Sequence, residues 1–179
     1  MKRWIIVAIF LLAVPAVPDF AAADRARPDA PGLTEMAPDF QYLGSDGRWR
    51  YLHDLRPLGH VLLVFEPGDA QLAALEREAD SLLVQGVIPI AVFSGRESDN
   101  WSKIERLGLT YSLLSDPHGD LAAQFQIAAV LAPRSPAWFL VDRDGRVRGL
   151  DRGTLPESGF ADAAALALQP REQASAIRP

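Results

Sequence analysis

The period of the hydrophobic positions changes several times along the chain, and each change predicts a new element. Apolar and polar residues alternate at Phe40–Tyr42 and at Trp49–Tyr51, on either side of Ser45-Asp46-Gly47. This alternation predicts a β-hairpin with an Asp-Gly turn. Continuous apolar runs at Val61–Phe65 and Val87–Phe93 are typical of strands buried on both faces, so they predict the centre of a sheet.

Helical spacing follows both apolar runs. Between Leu72 and Leu83 apolar residues recur on one helical face, after Asp69 as the predicted N-cap and before Gly86 as the predicted stop. The spacing also predicts a helix at Glu97–Leu107. The other predicted elements are a short strand at Tyr111–Leu114, a short helix at Asp120–Phe125, a hairpin with strands at Ala137–Val141 and Val147–Leu150, and a helix at Glu157–Leu168.

This order of elements predicts the fold class. Strand, helix, strand, helix, hairpin and helix give an α/β domain with a central mixed sheet and helices on both faces. It is the order of a thioredoxin-like fold with an added N-terminal β-hairpin. We expect this single domain at residues 37–168, preceded by a flexible lead-in at 24–36 and followed by a disordered tail at 169–179.

The first 23 residues have the pattern of a signal peptide. Met1-Lys2-Arg3 is positively charged, Trp4–Val14 is apolar, and Ala21-Ala22-Ala23 supplies small residues before a cleavage site. The apolar run is shorter than the roughly 20 residues that span a bilayer, so we expect cleavage after Ala23 and a periplasmic or secreted protein. The alternative is an uncleaved anchor, and only in that case would the protein contact the membrane.

Composition excludes several kinds of function. The 179 residues have a formal net charge of −5 and no cluster of Lys and Arg, which argues against nucleic-acid binding. Cysteine is absent, so disulfides, thiolate nucleophiles and Cys-ligated metals are excluded. His53, His60 and His118 lack the spacing of metal ligands, and we expect neither a metal nor a cofactor.

Four sequence motifs carry a resemblance to a known family. They are Ala37-Pro38-Asp39-Phe40, Val64-Phe65-Glu66-Pro67, Leu114-Ser115-Asp116-Pro117-His118-Gly119 and Phe139-Leu140-Val141-Asp142-Arg143-Asp144-Gly145. In this order they resemble the peroxiredoxins, also called alkyl hydroperoxide reductase, thiol-specific antioxidant or redoxin proteins, and their exported thioredoxin-like relatives. The resemblance covers residues 37–160 and implies a thioredoxin fold and an ancestral thiol oxidoreductase activity.

The resemblance also implies where the reactive thiol would be. In the peroxiredoxin register, Pro67 is followed by Gln71 at the position of the family's threonine and by Ala74 at that of its peroxide-reducing cysteine. In the thioredoxin-like register, the two cysteines of the Cys-x-x-Cys turn fall at Ala70 and Ala73. Both registers place alanine at the cysteine positions, so the family's catalytic residue is missing whichever register holds.

A thiolate at the first turn of a helix is stabilised by free backbone amides and by the positive end of the helix. Alanine supplies no such nucleophile. Glu66 and Asp69 also place two carboxylates where a thiolate would need positive charge, and we expect Asp69 to cap the helix amides.

The second half of the family's site is only partly matched. The peroxiredoxin arginine falls at Pro136, with Arg134 two residues earlier, whereas the thioredoxin-like register places a cis-proline there. We therefore predict a cis peptide bond between Ser135 and Pro136. Six residues are expected to converge on the old active-site cleft: Glu66, Asp69, Gln71, Arg134, Pro136 and Trp138. Four aromatic residues are expected in the core or packed at the sheet edge: Trp49, Tyr51, Trp101 and Trp138.

These observations lead to one functional hypothesis and two alternatives. The hypothesis is an exported, redox-inactive protein that uses its cleft to bind a protein or a small ligand. The alternatives are an enzyme that reuses the cleft without a thiol, for which the sequence shows no catalytic constellation, and a structural partner of an envelope redox complex.

Overall fold

The structure, a computed structural model, describes residues 31–43, 49–127 and 136–169. Its elements in chain order are β1 (Gln41–Leu43), β2 (Trp49–Tyr51), α1 (Leu52–Leu55), β3 (His60–Phe65), α2 (Asp69–Val84), β4 (Val87–Phe93), α3 (Glu97–Leu107), β5 (Ser112–Ser115), α4 (Asp120–Gln124), β6 (Ala137–Val141), β7 (Val147–Arg152) and α5 (Phe160–Leu168).

Strand β3 lies at the centre of a five-stranded sheet with the order β5-β4-β3-β6-β7. It runs parallel to β4 and antiparallel to β6. β5 is parallel to β4 at one edge, and β7 is antiparallel to β6 at the other. β1 and β2 form a separate antiparallel hairpin. The predicted α/β class, the mixed sheet and the added N-terminal hairpin are confirmed.

The alternation of side chains along β3 gives the domain two apolar layers. Val61, Leu63 and Phe65 pack with residues of α1 and α4 on one face of the sheet. Leu62 and Val64 pack with residues of α2 and α5 on the other face. All five are almost fully buried, because a strand with neighbours on both sides and helices above and below has no solvated face.

Pro89 lies within β4 although proline lacks the amide hydrogen that a sheet needs. Its position explains why it is tolerated. On the side of β4 that faces β3, Pro89 pairs with Leu62. On the side that faces β5, the pairing begins only at Ile90. Pro89 therefore precedes the part of β4 that needs hydrogen bonds on both sides.

Helix α5 begins at Phe160, three residues later than the sequence predicts. Glu78 of α2 accepts hydrogen bonds from the backbone nitrogens of Gly159, at 2.7 Å, and Ala161, at 2.9 Å. These contacts satisfy amides that the helix itself leaves without partners. The start of α5 is therefore fixed by a residue more than eighty positions away.

The end of the lead-in contacts the sheet before residue 37, where the domain was expected to begin. The Thr34 nitrogen donates to the Val147 oxygen at 2.7 Å, and the Val147 nitrogen donates to the Glu35 oxygen at 2.9 Å. Met36 also forms a bridge with Arg146. Residues 34–36 of the expected lead-in thus contact the sheet. The predicted signal peptide, residues 24–30 and the predicted tail from residue 170 lie outside the described residues.

The prediction that the four aromatic residues lie in the core or pack at the sheet edge is wrong for three of them. Trp49 is 64 % exposed and Trp101 is 48 % exposed, and Tyr51 is also exposed. Trp49 and Tyr51 lie two residues apart on one exposed face of the hairpin strand β2. Trp138 alone is half-buried, packed against the cluster of α2 and α5. Among the described residues, no helix is long and apolar enough to span a membrane.

Candidate functional site

The chain makes a sharp turn between the end of β3 and the start of α2. Glu66 adopts a left-handed backbone conformation there, with φ of 50°. Its Oε1 accepts a hydrogen bond from the Ser94 nitrogen at 2.8 Å, and its own nitrogen donates to the Val92 oxygen at 2.8 Å. An uncommon conformation in a residue other than glycine needs such support, since it costs about 1–2 kcal/mol. The carboxylate of Glu66 is thus committed to holding the turn.

Gly68, and not Asp69, is the N-cap of α2, so the capping prediction is wrong. Asp69 is the first helical residue, and no side chain caps the helix at Gly68. The side chain of Gln71 lies over this glycine, because a Cβ added there would come within 2.8 Å of Gln71 Oε1. A larger residue at this N-cap would displace the end of the Gln71 side chain.

The carboxylate of Asp69 is directed to helix α3. Arg106 Nη1 donates to Asp69 Oδ2 at 2.7 Å. This hydrogen bond, more than the charge alone, holds the pKa of Asp69 below its usual range. The guanidinium near the start of α2 is therefore already paired with a carboxylate, and the local positive charge that a thiolate would require is neutralised.

The three alanines at which the two registers place the family's cysteines differ in their exposure. Ala70 is exposed, Ala73 is half-buried and Ala74 is completely buried. Ala74 belongs to the apolar cluster beneath α2, together with Val64 and Leu75. Because a reactive thiol must be reached by its substrate, a cysteine would be accessible at Ala70 and inaccessible at Ala74.

The structure brings together only part of the predicted cleft. Glu66, Asp69 and Gln71 lie at the turn. Pro136 is beside them, since the next residue, Ala137, pairs with Phe65 at the end of β3.

Trp138 does not contribute to this turn. It pairs with Val64, and its ring lies over Gly149, where an added Cβ would come within 2.9 Å of two ring atoms. Its placement in the cleft is therefore wrong, and it is a packing residue. Arg134 and the Ser135–Pro136 peptide bond involve positions outside the described residues, so the predicted cis bond stays a prediction.

Sequence reasoning missed a pair of cavities at the β5 edge of the sheet. One has a volume of about 240 Å³ and the other of about 540 Å³. They share Tyr42, Glu97, Leu113 and Leu114, so they form one continuous groove between the hairpin, α3 and β5. None of the described cleft residues lines either cavity. The signal in the sequence was Asn100, a polar residue on the sheet-facing side of α3.

His53 and His60 line neither cavity, whereas His118 lines the larger one. His53 Nδ1 is 2.6 Å from Asp39 Oδ2, and the ring stacks on Tyr51. Burial, followed by the charge of Arg143, lowers the pKa of His60. In the described part of the chain, no three His, Cys, Asp or Glu side chains are grouped as metal ligands.

The comparisons with known proteins agree with the fold. The model of the AhpC/TSA family matches residues 33–150, well over half of the chain. The chain belongs to the AhpC/TSA family. This AhpC/TSA chain is also 28 % identical over 132 residues to the thiol-disulfide oxidoreductase ResA of Geobacillus thermodenitrificans, which covers 70 % of the chain and 72 % of ResA.

Two solved structures show the same fold. Peroxidoxin BcpB from Mycobacterium tuberculosis has a TM-score of 0.69 and 23 % identity, over 83 % of this chain and 99 % of BcpB. Thiol:disulfide interchange protein DsbE from Chlorobium tepidum has a TM-score of 0.64 and 20 % identity, over 78 % of this chain and 100 % of DsbE. These similar proteins include both kinds that the motifs indicated, peroxiredoxins and thiol-disulfide oxidoreductases. This AhpC/TSA chain, in contrast, has no cysteine.

Proposed function

We propose that this AhpC/TSA protein is exported, has lost thiol redox chemistry, and acts by binding a partner protein or a small ligand. The observation that carries the proposal is the absence of cysteine from the whole sequence. Reduction of a peroxide or a disulfide by this fold begins with attack by a thiolate. Ala70, Ala73 and Ala74 offer no lone pair for that attack.

The surroundings of α2 support a loss of the chemistry rather than a substitute for it. The Glu66 carboxylate accepts the Ser94 amide, and the Asp69 carboxylate accepts from Arg106. Both acidic groups are therefore used in holding the turn and the helices together. A general base would need a free acceptor within hydrogen-bond reach of its substrate.

Export is supported by the N-terminal pattern. A positive start, the apolar run Trp4–Val14 and the small residues at Ala21-Ala22-Ala23 are the parts of a signal peptide. Expression of the full chain in a Gram-negative host, followed by fractionation and mass spectrometry, tests this part. A periplasmic product that begins at Asp24 is expected, and an intact Met1 in the cytoplasmic fraction would contradict export.

The redox part is tested by restoring the thiols. The Ala70→Cys/Ala73→Cys double variant is expected to gain dithiol-dependent reduction of insulin, because Ala70 is exposed at the first turn of α2. Ala74→Cys is the matched control. Its thiol would be buried in the core, so it is expected to remain inactive and to react with a thiol reagent only when the protein unfolds.

The insulin reduction assay is also applied to the unmodified protein. Activity of the unmodified protein above the buffer rate would overturn the proposal. The binding role is tested independently, by cross-linking the mature protein in an envelope extract under reducing and non-reducing conditions. Capture that is equal in both conditions is expected of a partner held without a disulfide, whereas capture only without reductant would contradict a thiol-free role.

A further inference from the structure

One face of α3 lines the smaller cavity of the groove described above. Glu97, Asn100, Trp101 and Ile104 line it, at the spacing of one helical stripe. The opposite wall is formed by the chain leading into β5 and by β5 itself. A helix and a strand thus face each other across a space of about 240 Å³.

Asn100 lies within this stripe with its side chain almost completely buried. It is 3 % exposed, and in the described part of the chain neither its Oδ1 nor its Nδ2 has a hydrogen-bond partner. Buried amides are nearly always hydrogen-bonded, because an unmatched one costs about 1–3 kcal/mol. An apolar residue of similar size would remove this cost, so the asparagine is matched only when a water or a ligand in the cavity supplies its hydrogen bonds.

The groove also crosses an open sheet edge. β5 is the last strand of the sheet on this side, so its outward backbone groups have no neighbouring strand among the described residues. Leu113 packs with the cluster of Phe93 on the α3 side, whereas Leu114 packs with the core on the hairpin side. Both leucines line the groove, which therefore spans the edge from one face of the sheet to the other.

Two exposed tryptophans mark the two parts of the groove. Trp101 lines the smaller cavity and Trp49 lines the larger one, which adds about 540 Å³. Exposed tryptophans beside a strand edge are typical anchors for apolar side chains of a partner. The groove is lined by three carboxylates, those of Glu97, Asp116 and Asp120, against the single guanidinium of Arg96, so its charge disfavours an anionic ligand.

The geometry points to a binding site for an extended, apolar peptide segment along the edge of β5. The carboxamide of Asn100 has a donor group, NH₂, beside an acceptor oxygen, which matches the N–H and C=O of a peptide group. A carboxylate would leave the oxygen of Asn100 unmatched, and an ammonium group would leave its nitrogen unmatched. The segment pairs its backbone with β5 and places apolar side chains against Trp101 and Trp49, the mode of strand addition.

The test uses the blocked tripeptide acetyl-Leu-Val-Leu-amide as the probe and amide NMR spectra of the isotope-labelled mature protein as the readout. Saturable shifts are expected for the Asn100 side-chain amide and for β5. Asn100→Leu is expected to weaken binding at least about tenfold, which corresponds to about 1.4 kcal/mol. The matched control is Ser102→Leu on the exposed side of α3, which is expected to leave the affinity unchanged.

A second probe tests recognition of the backbone. In this analogue each internal amide is replaced in turn by an ester, which removes the donor and keeps the shape. At least one ester probe is expected to bind the wild-type protein more weakly than the amide probe does. The same ester probe is expected to bind the Asn100→Leu variant as well as the amide probe does. Because the orphaned amide is removed, this variant is also expected to unfold at a higher temperature, by about 4 °C.

Several results would overturn the proposal. They are the absence of saturable shifts at millimolar probe, equal affinity of the wild type and Asn100→Leu, and equal binding of the amide and all ester probes. If Asn100→Leu does not fold, Trp101→Ala replaces it, and an unchanged affinity of that exposed variant has the same meaning. No step of this assay involves redox chemistry, so its failure leaves the proposed loss of thiol activity standing.

Discussion

Arg106 at the end of α3 donates a hydrogen bond of 2.7 Å to Asp69 at the first position of α2. The pair joins two helices where the family places a reactive thiol. In an Ala70→Cys background, Arg106→Gln is expected to raise the thiol pKa, since the Asp69 carboxylate is then uncompensated. Asp69→Asn is expected to lower it. Thiolate absorbance as a function of pH measures both pKa shifts. A lowered thiol pKa in Arg106→Gln or a raised one in Asp69→Asn would contradict this electrostatic account.

Glu66 provides a test of the strained turn. Its φ of 50° favours glycine, while its side chain supports the turn through the Ser94 nitrogen. Glu66→Ala loses the contact and keeps the strain, whereas Glu66→Gly loses the contact and relieves the strain. The glycine variant is therefore expected to be more stable than the alanine variant by about 1 kcal/mol in denaturant unfolding. Equal stabilities would show that the backbone is not strained.

Phe125 tests the core beneath the sheet. Its ring lies 4.9 Å from that of Phe139 and 5.4 Å from that of Phe65, measured between centroids, and it is completely buried. Phe125→Ala is expected to lower the free energy of unfolding by about 3–5 kcal/mol. Trp49→Ala serves as the exposed aromatic control and is expected to change it by less than about 0.5 kcal/mol. Similar losses in both variants would contradict the assignment of the core.

His60 predicts a pH dependence of stability. Burial and the charge of Arg143 lower its pKa in the folded state below the usual 6.5, although Asp142 partly opposes this shift. The unfolded chain therefore takes up the proton first, and the contribution of this group to stability is complete above about pH 6.5 and falls below it.

Unfolding midpoints measured between pH 7 and pH 5 test this sign. His60→Gln is expected to reduce the loss of stability on acidification, and His118→Gln, an exposed histidine, serves as its control. An unchanged slope in His60→Gln would contradict the inferred shift.

Much of the fold could be predicted from the sequence because its signals are local. The apolar runs of β3 and β4 are buried strands, and α3 begins at Glu97 and ends at Leu107 as predicted. Gly108 explains the clear end of α3, since its φ of 64° suits glycine.

The errors have a common cause in contacts between distant residues. Asp69 matches the residue preferences of an N-cap, but Arg106 binds its carboxylate and Gly68 takes the cap position. The start of α5 is likewise set by Glu78. The exposure of Trp49 depends on whether a helix covers the hairpin, which periodicity does not reveal.

Only part of the candidate site could be predicted from the sequence. The missing cysteine is a property of composition, and both registers placed it at alanine. The difference between exposed Ala70 and buried Ala74 comes from the side of α2 that packs on the sheet. The groove beside Asn100 was not predicted, because the hairpin that carries Tyr42 lies far in the sequence from α3 and β5.

The central claim is that this AhpC/TSA fold performs no thiol chemistry. The most direct measurement is the rate at which the purified, unmodified mature protein consumes hydrogen peroxide or cumene hydroperoxide with dithiothreitol as the reductant. The account predicts a rate equal to that of buffer with dithiothreitol at every protein concentration. A rate that rises in proportion to protein concentration, and that persists after metal chelation and repurification, would contradict it.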